Sequence, residues 1–274
     1  MITASIVIYN TPLPQLTRLM ECVGRSGIDR LYLIDNSETP MPDEWVRGIP
    51  NAIYHFNEGN VGYGSGHNIA LRMAIDAGAR YHVILNPDVY WDGDVISSLS
   101  QYMDSDSDCG LCMPKILYPD GSIQLLCKLL PRPIDLLGRR FIPWRGVRDM
   151  IDRRYELQSF AYDARMEVPS LSGCFMFLRV SVLKKTGLFD ERYFMYAEDL
   201  DLCRRIGDVA TTMFIPDVSV YHEYEKGSYH SRRLLKMHVS SIIKYFNKWG
   251  WLFDATRRRR NRECQGRIRE KSNR

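Results

Sequence analysis

Three carboxylates are concentrated in a short stretch of this chain that ends in two arginines. The stretch reads Ala-Glu-Asp-Leu-Asp-Leu-Cys-Arg-Arg and contains Glu198, Asp199, Asp201, Arg204 and Arg205. If these residues begin a helix, Asp201 faces the two arginines one turn later, whereas Asp199 has no basic partner at helical spacing. An ionised carboxylate at a helix N-terminus can accept a proton from a hydroxyl group. The pattern predicts a general base at Asp199. A solvated helix start with acidic residues is the alternative.

A second candidate position follows an apolar segment near residue 85. The sequence Asn86-Pro87-Asp88 closes that segment, and a proline ends a strand because it cannot donate to the sheet. A carboxylate at Asp88 can bind a hard divalent cation, which can in turn hold two phosphate oxygens. His222 follows another predicted strand and would join such a metal site. The alternatives are a strand-ending turn at 86–88 and a hydrogen-bonded structural histidine at 222.

A glycine-rich segment runs from Gly59 to Asn68. Glycines let the backbone approach a ligand closely, and the helix that follows would favour an anion at its N-terminus. The segment follows the third predicted strand, whereas the first strand ends at Asn10 without a glycine. This placement counts against a dinucleotide-dependent oxidoreductase, and a flexible loop is the other alternative.

The first half of the chain alternates predicted strands and helices. Strands are predicted at Ala4–Tyr9, Leu31–Asp35, Ala52–Phe56 and Tyr81–Leu85, with helices at Leu13–Ser26 and through Ile69–Ala77. This βαβ order predicts a mostly parallel sheet with ligands at the carboxyl ends of its strands. Tyr9, Asp35 and Asn36 lie at two such ends and could stack on and hydrogen-bond a nucleobase.

The second half is less regular. We expect a helix at Asp94–Met103, a hairpin of Gly110–Leu117 with Ile123–Leu126, and a mobile loop with short helical pieces at Pro131–Tyr162. Strands are expected at Gly173–Val180, Val209–Pro216 and Val218–Tyr221, and a helix at Tyr229–Phe253. The predicted organisation is a catalytic domain at 1–228, divided into halves 1–105 and 106–228, followed by a C-terminal helix and basic tail at 229–274.

Charge is concentrated at the C-terminus. Residues 255–274 hold nine Lys/Arg and two Asp/Glu, a net of +7, so the net charge of +4 leaves −3 for the first 254 residues. With the aromatic residues before it, this segment is predicted to lie on an anionic membrane surface rather than to bind nucleic acid. No apolar run approaches the roughly 20 residues that span a bilayer. We expect a cytoplasmic protein, peripheral on the inner face of the cytoplasmic membrane.

The seven cysteines form no framework of regular spacing. Cys109 and Cys112 make a lone C-x-x-C pair in a predicted strand. We expect buried, reduced thiols rather than a zinc site or redox chemistry.

In this order, the segments resemble the family 2 inverting glycosyltransferases with a GT-A fold, and especially the rhamnosyltransferase-like members that build bacterial surface polysaccharides. The resemblance covers about residues 3 to 230 and rests on Ser5–Asn10, Leu33–Ser37, Asn57–Asn68, Leu85–Val89, Gly173, Gly187–Asp190, Glu198-Asp199, and His222 with Ser228. The family's D-x-D motif has Asn86 at its first position here, which leaves Asp88 as the charged metal ligand of that motif.

The resemblance implies a Rossmann-like α/β fold and a single displacement from a nucleoside-diphosphate sugar, such as dTDP- or UDP-linked rhamnose. The acceptor would be a hydroxyl of a glycan or of a polyprenyl-diphosphate-linked sugar. The implied donor-binding residues are Tyr9, Asn10, Asp35, Asn36, Asn57, Gly62, Asn68, Asn86 and Asp88. Asp88 and His222 would bind Mg²⁺ or Mn²⁺.

On the acceptor side, the resemblance implies that Asp199 is the base. Glu198, Asp190 and Gly173 would position the acceptor, and Arg204 would fix the carboxylates. A catalytically inactive nucleotide-sugar-binding protein of the same fold is the main alternative.

Overall fold

The computed structural model describes residues 1–138, 142–223 and 232–272, and in them helices lie on both faces of a nine-stranded sheet. The strands are β1 (Ile2–Ile8), β2 (Arg30–Asp35), β3 (Ala52–Phe56), β4 (Tyr81–Leu85), β5 (Val89–Tyr90), β6 (Cys109–Leu117), β7 (Met166–Glu167), β8 (Phe175–Arg179) and β9 (Thr211–His222). The helices are α1 (Leu13–Gly24), α2 (Asp43–Arg47), α3 (Tyr63–Asp76), α4 (Val95–Ser105), α5 (Arg145–Tyr155), α6 (Val180–Thr186), α7 (Glu198–Ile206), α8 (Arg232–Trp249) and α9 (Ala255–Ser272). A short π-helix spans Ile134–Gly138.

The predicted mixed α/β fold is confirmed. The strands lie in the order β3-β2-β1-β4-β8-β6-β9-β5, and β7 pairs with β9. The strands of the first half, β1 to β4, run parallel to one another, as their βαβ order predicts. β8 is antiparallel to β4 and β6, and β5 is antiparallel to β9.

The two faces of the sheet carry different apolar clusters. Ile6 and Ile8 of β1 belong to a large core that includes α1 and α4. Val7, which points the other way, packs with Ala70 and Ala74 of α3. This alternation follows from the two-residue period of a strand and fixes the register of β1 at the centre of the sheet.

Two expectations for the second half are wrong in detail. The two short strands expected at 209–221 are one strand, β9, whose pairing with β6 shifts between Ile215 and Ser219. The expected hairpin is reduced to a single bridge between Leu117 and Ile123. The short helical pieces expected within 131–162 are present as the π-helix and α5, which buries Ile151. The expected helix start at Tyr229 lies outside the described residues.

The C-terminal helices share a core with α7. Tyr245 and Phe246 of α8 are fully buried and pack with Tyr193 and Leu200. On α9 the buried positions recur every three to four residues, at Arg257, Arg260, Asn261, Cys264 and Ile268. The segment expected as a basic tail is therefore a helix, and one face of it is docked on the domain.

Two arginines of the run at 257–260 are used internally. The Arg257 side chain lies 4.0 Å from Asp254, and Arg260 donates to Asp208 at 2.6 Å and to the Arg204 carbonyl at 2.8 Å. All seven cysteines are free and buried, as expected. Within the described residues, none of the helices combines the length and apolar composition needed to cross a bilayer.

Candidate active site

One cleft opens at the carboxyl ends of the parallel strands and contains most of the chemistry predicted from the sequence. Its cavity volume is about 930 Å³. Tyr9, Asn36, Asn86 and Asp88 line it from the first half of the chain, while Gly173, Glu198, Asp199 and His222 line it from the second half. Asp88 and Asp199 therefore face a common space although they are far apart in sequence.

Asp199 lies in the first turn of α7 and both of its oxygens are held by backbone amides. The Gly173 amide donates to Oδ2 at 3.0 Å, and the Leu200 amide donates to Oδ1 at 2.8 Å. The chain enters this helix through two non-glycine residues with left-handed backbone, Tyr196 (φ 70°) and Ala197 (φ 66°). Such conformations cost about 1–2 kcal/mol each and are concentrated at functional sites.

Among the residues that the structure describes, the ion pairs of α7 involve Asp201, Arg204 and Arg205 and do not include Asp199, which lines the cleft. Asp201 pairs with Arg205 at 2.8 Å, as the helical spacing predicts, and with Lys248 at 2.6 Å. Arg204 was expected to fix the carboxylates of the cleft, but this is wrong. Its guanidinium forms a buried two-pronged pair with Asp254 at 2.6 and 2.7 Å. The helix turn points it away from the cleft, toward α9.

Glu198 has a different electrostatic environment from a solvated helix start. It is only 6% exposed, and its Oε2 has no hydrogen-bond partner in the described part of the chain. Burial, reinforced by the charge of Asp199, raises the pKa of Glu198 well above its ordinary value. Glu198 therefore favours its neutral form, so it is poorly suited to act as a second general base.

His222 is positioned by strand pairing and by Gln124. β5 pairs with β9 so that Val89 is opposite His222, which brings the histidine to Asp88. Gln124 Nε2 donates to the His222 carbonyl at 2.7 Å, so its Oε1 is the atom that faces His222 Nδ1 at 2.9 Å. Because Oε1 can only accept, Nδ1 must donate, and a neutral His222 then presents the lone pair of Nε2.

That lone pair faces the predicted metal ligand. His222 Nε2 lies 3.3 Å from Asp88 Oδ1, a buried oxygen with no hydrogen-bond partner among the described residues. Adjacent ligands of one divalent cation lie about 3 Å apart, given metal–ligand distances near 2.1 Å. The pair therefore fits a cation. In the described residues no group of three or more His, Cys, Asp or Glu side chains could hold a metal ion.

Tyr63, which the sequence reasoning missed, connects the two halves of the cleft. Its hydroxyl lies 2.9 Å from Asn86 Oδ1 and 2.7 Å from the Gly173 carbonyl. Burial is the main cause that raises the pKa of Tyr63 well above its ordinary value, so the hydroxyl stays protonated and can donate. Asn86 meets this hydroxyl with its oxygen and places its nitrogen 3.4 Å from His222 Nε2. The Tyr63 hydroxyl therefore orients the Asn86 side chain.

Several expected donor ligands are used by the protein instead. Asp35 is fully buried and accepts from the Ser37 amide at 2.9 Å, the Met41 amide at 3.2 Å and the Tyr54 hydroxyl at 2.6 Å. Its expected contact with a nucleobase is wrong, because its carboxylate braces the loop after β2. Burial and this hydrogen bond raise the pKa of Tyr54 to about 12.

The asparagines of the glycine-rich segment also act inside the fold. Asn57 donates to Asn36 at 2.7 Å and so positions a residue that does line the cleft. Asn68 is buried and both donates to and accepts from the Phe189 backbone at 2.9 Å. Neither Asn57 nor Asn68 lines the cleft, and nor does Asn10, whose amide donates to Ser37.

The glycines of this segment make room for protein rather than for a ligand. Gly62 has a φ of 94°, and a Cβ there would lie 2.5 Å from the Phe194 carbonyl oxygen. A Cβ at Gly66 would lie 2.9 Å from the Val7 side chain. The expectation that Gly62 binds the donor is therefore wrong, since its role is close packing of α3.

Asp190, expected to position the acceptor, lies outside the cleft lining. It pairs with Arg192 at 2.6 Å and with Lys248 at 2.8 Å. The hydrogen bond from Arg192 is the largest cause that lowers the pKa of Asp190 below its ordinary value. Asp190 therefore ties the loop before α7 to α8. Ser228, expected near the metal, lies outside the described residues.

Comparison with known proteins assigns this geometry to a class. No family model matches the chain. It is 29% identical over 253 residues, 87% of this chain and 82% of the relative, to an N-acetylglucosaminyl-diphospho-decaprenol L-rhamnosyltransferase of Mycobacterium tuberculosis. It is 24% identical over 201 residues, 70% of this chain and 72% of the relative, to the rhamnosyltransferase WbbL of Escherichia coli.

Solved structures with the same fold are more distant in sequence. The chain resembles GalNAc-T7, solved with UDP, GalNAc and Mn²⁺, with a TM-score of 0.61 and 14% identity. The likeness covers 82% of this chain and 43% of GalNAc-T7, so the chain spans well under half of that protein. The predicted resemblance is confirmed: the chain is a glycosyltransferase with a GT-A fold, and it is similar in sequence to the two rhamnosyltransferases above. The oxidoreductase alternative is left without support.

Proposed function

We propose that this enzyme transfers a rhamnosyl group from a nucleoside-diphosphate rhamnose to a hydroxyl of a polyprenyl-diphosphate-linked sugar, with inversion at the anomeric carbon. The observation that carries the proposal is that Asp88 and Asp199 line one cleft. The names of the two relatives support rhamnose as the sugar and, in the mycobacterial case, a lipid-linked diphosphate acceptor.

The first half of the cleft would hold the donor. Tyr9, which is 42% exposed just after β1, offers a ring on which a base can stack, and Asn36 lines the same cleft. Asp88 and His222 would hold Mg²⁺ or Mn²⁺, which when bound neutralises charge on the diphosphate. Because only two protein ligands are available among the described residues, phosphate oxygens and water would complete the shell.

Asp199 would act on the acceptor. As the acceptor oxygen attacks the anomeric carbon, the bond from that carbon to the diphosphate oxygen breaks and its electron pair leaves with the diphosphate. The acceptor proton moves to the Asp199 carboxylate. Attack from the face opposite the diphosphate inverts the carbon. The two backbone amides hold Asp199 in one orientation, and neutral Glu198 beside it adds no second negative charge.

The variant Asp199→Asn tests the base. It keeps the size of the side chain and removes its basicity, so transfer should fall by about 10²–10⁴-fold with donor affinity unchanged. Donor affinity is measured by titration calorimetry, and the product anomer is identified by NMR. Asp217→Asn, at a surface carboxylate paired with Arg165, is the control and should retain full activity. Near-normal transfer by Asp199→Asn would refute the assignment, and donor binding without turnover in the wild type would favour a binding protein.

Asp88→Ala tests the metal site separately. Donor affinity in Mg²⁺ or Mn²⁺ should fall to the value that the wild type shows with a chelator. An affinity that is the same in all of these conditions would exclude a metal at Asp88.

A further inference from the structure

The turn between α8 and α9 presents large apolar side chains to solvent. Trp251 is 37% exposed, Leu252 is 70% exposed and Phe253 is 85% exposed. Gly250 permits the turn, because it has a φ of 95° and a Cβ there would lie 2.9 Å from the Phe253 carbonyl oxygen. Three adjacent exposed apolar residues are unusual on a soluble surface and mark an interaction site. We call residues 250–253 the apolar turn.

The apolar turn is held rigidly. The buried Arg257 guanidinium donates to the Trp251 carbonyl at 3.3 Å and to the Leu252 carbonyl at 3.2 Å. Asp254 accepts from the Arg257 amide at 2.9 Å and so caps α9. Buried polar contacts therefore fix the backbone of the turn and keep Leu252 and Phe253 exposed to solvent.

Arginines surround the apolar turn. Arg258, Arg259 and Arg262 line an open cavity of about 610 Å³ together with Phe253 and Glu263. The Arg258 guanidinium carbon lies 5.9 Å from the centre of the Phe253 ring. Glu263 offsets one of these charges, since it pairs with Arg259 at 3.2 Å. Apolar tips with a net basic rim match the interface of an anionic bilayer, where tips enter the acyl region and arginines meet headgroups.

The same turn is tied to the elements that form one end of the active-site cleft. Arg257 also donates to the Pro131 carbonyl at 3.2 Å, just before the π-helix. Leu136 of that π-helix and Ile242 of α8 line the cleft. Their neighbours Ile134 and Ile243 are 43% and 41% exposed. Exposed apolar side chains thus also occur on the two elements that line this part of the cleft.

We propose that the apolar turn and the arginines beside it form a membrane-docking surface, which inserts Leu252 and Phe253 into an anionic leaflet and turns the cleft toward a lipid-linked acceptor. The orientation of the cleft rests on the proposed function, whereas the docking itself does not. This proposal differs from binding by a free basic tail, because the buried face of α9 is committed to the domain.

Vesicle sedimentation of the full chain tests the proposal, with vesicles of phosphatidylglycerol and phosphatidylcholine or of phosphatidylcholine alone. The wild type should bind the anionic vesicles at least tenfold more tightly. Leu252→Ser combined with Phe253→Ser should weaken that binding by about 10-fold or more, from loss of apolar burial. Arg258→Glu should weaken it most at low salt, and the binding that remains should depend less on salt than that of the wild type. Val209→Ser, at an apolar side chain that is 54% exposed after α7, is the matched control and should bind like the wild type.

The results distinguish membrane docking from self-association and from failure of the proposed transfer reaction. Equal vesicle binding by the double serine variant, or no binding by the wild type, would overturn the proposal. Self-association that disappears in the double serine variant, measured by analytical ultracentrifugation without vesicles, would assign the surface to a second copy of the chain and overturn it as well. Transfer to a water-soluble, short-chain acceptor should be unchanged in the double serine variant. Failure of transfer with every acceptor in the wild type would instead defeat the proposed function, independently of vesicle binding.

Discussion

The backbone amide of Gly173 donates a 3.0 Å hydrogen bond to Oδ2 of Asp199, and its carbonyl lies 2.7 Å from the Tyr63 hydroxyl. One residue thus orients the proposed base and connects it to Asn86 on the donor side. A Cβ at Gly173 would lie 3.3 Å from the Asp199 Cβ, which explains why this position is a glycine. The two sides of the cleft are therefore coupled through the backbone of a single residue.

Gly173→Ala should reduce turnover by about tenfold, because the added methyl group moves the Asp199 carboxylate away from its amide donor and misaligns the reacting atoms. Gly146→Ala is the matched control, since a Cβ there meets nothing within 4 Å. Steady-state kinetics with the donor at saturation compare the two variants. An alanine at 173 that turns over like the control would show that the close approach to Asp199 is not needed.

Tyr63→Phe should lower both stability and turnover. Removing the hydroxyl leaves Asn86 Oδ1 and the Gly173 carbonyl without this donor, at a cost of roughly 1–3 kcal/mol. Tyr54→Phe removes a partly buried hydroxyl outside the cleft, the one that contacts Asp35, and should lower stability alone. Urea denaturation and transfer assays distinguish them. Equal activity losses in the two variants would argue that Tyr63 acts only through stability.

Gln124→Met should weaken Mn²⁺ binding in the presence of donor by about 10–100-fold, the usual effect of removing the residue that orients a ligating histidine. The methionine keeps the volume and loses the oxygen that fixes the Nδ1–H tautomer of His222. Gln101→Met, at an exposed position of α4, is the control. Electron paramagnetic resonance of Mn²⁺ measures the bound fraction, and an unchanged affinity would contradict a metal role for His222.

The residues that could be predicted from sequence are those whose chemistry follows from strand order. Asp88 follows a strand that the βαβ pattern directs to the ligand-binding edge of the sheet, whereas its meeting with Asp199 was implied by the family resemblance. Asp35 and Asn68 are also polar residues in segments predicted to bind the donor. Their side chains instead form hydrogen bonds within the protein, with Tyr54 and with the Phe189 backbone respectively. Such contacts depend on how loops return to the sheet, and no periodicity encodes them.

Tyr63, Gln124 and the docking of α9 were missed for the same reason, because their contacts are with residues distant in sequence. Tyr63 lies in the glycine-rich segment, and its role depends on the Gly173 carbonyl, which is more than 100 positions away in the sequence. Gln124 lies just after a predicted turn and carries no motif. The docking of α9 was missed because its charge is visible in the sequence, whereas only the fold brings Asp208 to Arg260 and Arg204 to Asp254, the residue just before the helix.

Stability should fall at acidic pH because of two buried histidines. His82 Nε2 lies 2.8 Å from Ser5 Oγ, which also lies 2.7 Å from His67 Nδ1. Burial lowers the pKa of His82 to about 3 and the pKa of His67 well below its ordinary value. Below about pH 6.5 the unfolded chain therefore binds more protons than the folded chain, so stability falls as pH falls, by up to about 1.4 kcal/mol per pH unit for each histidine.

His82→Gln checks this pH dependence. Urea denaturation between pH 7.5 and 5 should give a shallower loss of stability for the variant than for the wild type. His55→Gln, at an exposed position of β3, is the matched control and should keep the wild-type slope. An identical slope for all three proteins would show that acid sensitivity comes from other groups.

The buried pair of Arg204 and Asp254 decides whether α9 belongs to the catalytic domain. Its side chains are 4% and 3% exposed, so Asp254→Ala leaves a buried guanidinium without its partner and should cost about 3–5 kcal/mol. Asp43→Ala breaks a pair whose side chains are 82% and 85% exposed and should cost less than about 1 kcal/mol. Thermal unfolding measures both. If α9 is part of the domain, the Asp254→Ala variant should unfold in a single transition at a lower temperature than the wild type. A separate unfolding transition of α9 at low temperature, with the main transition at the wild-type temperature, would mean that the helix is an appendage.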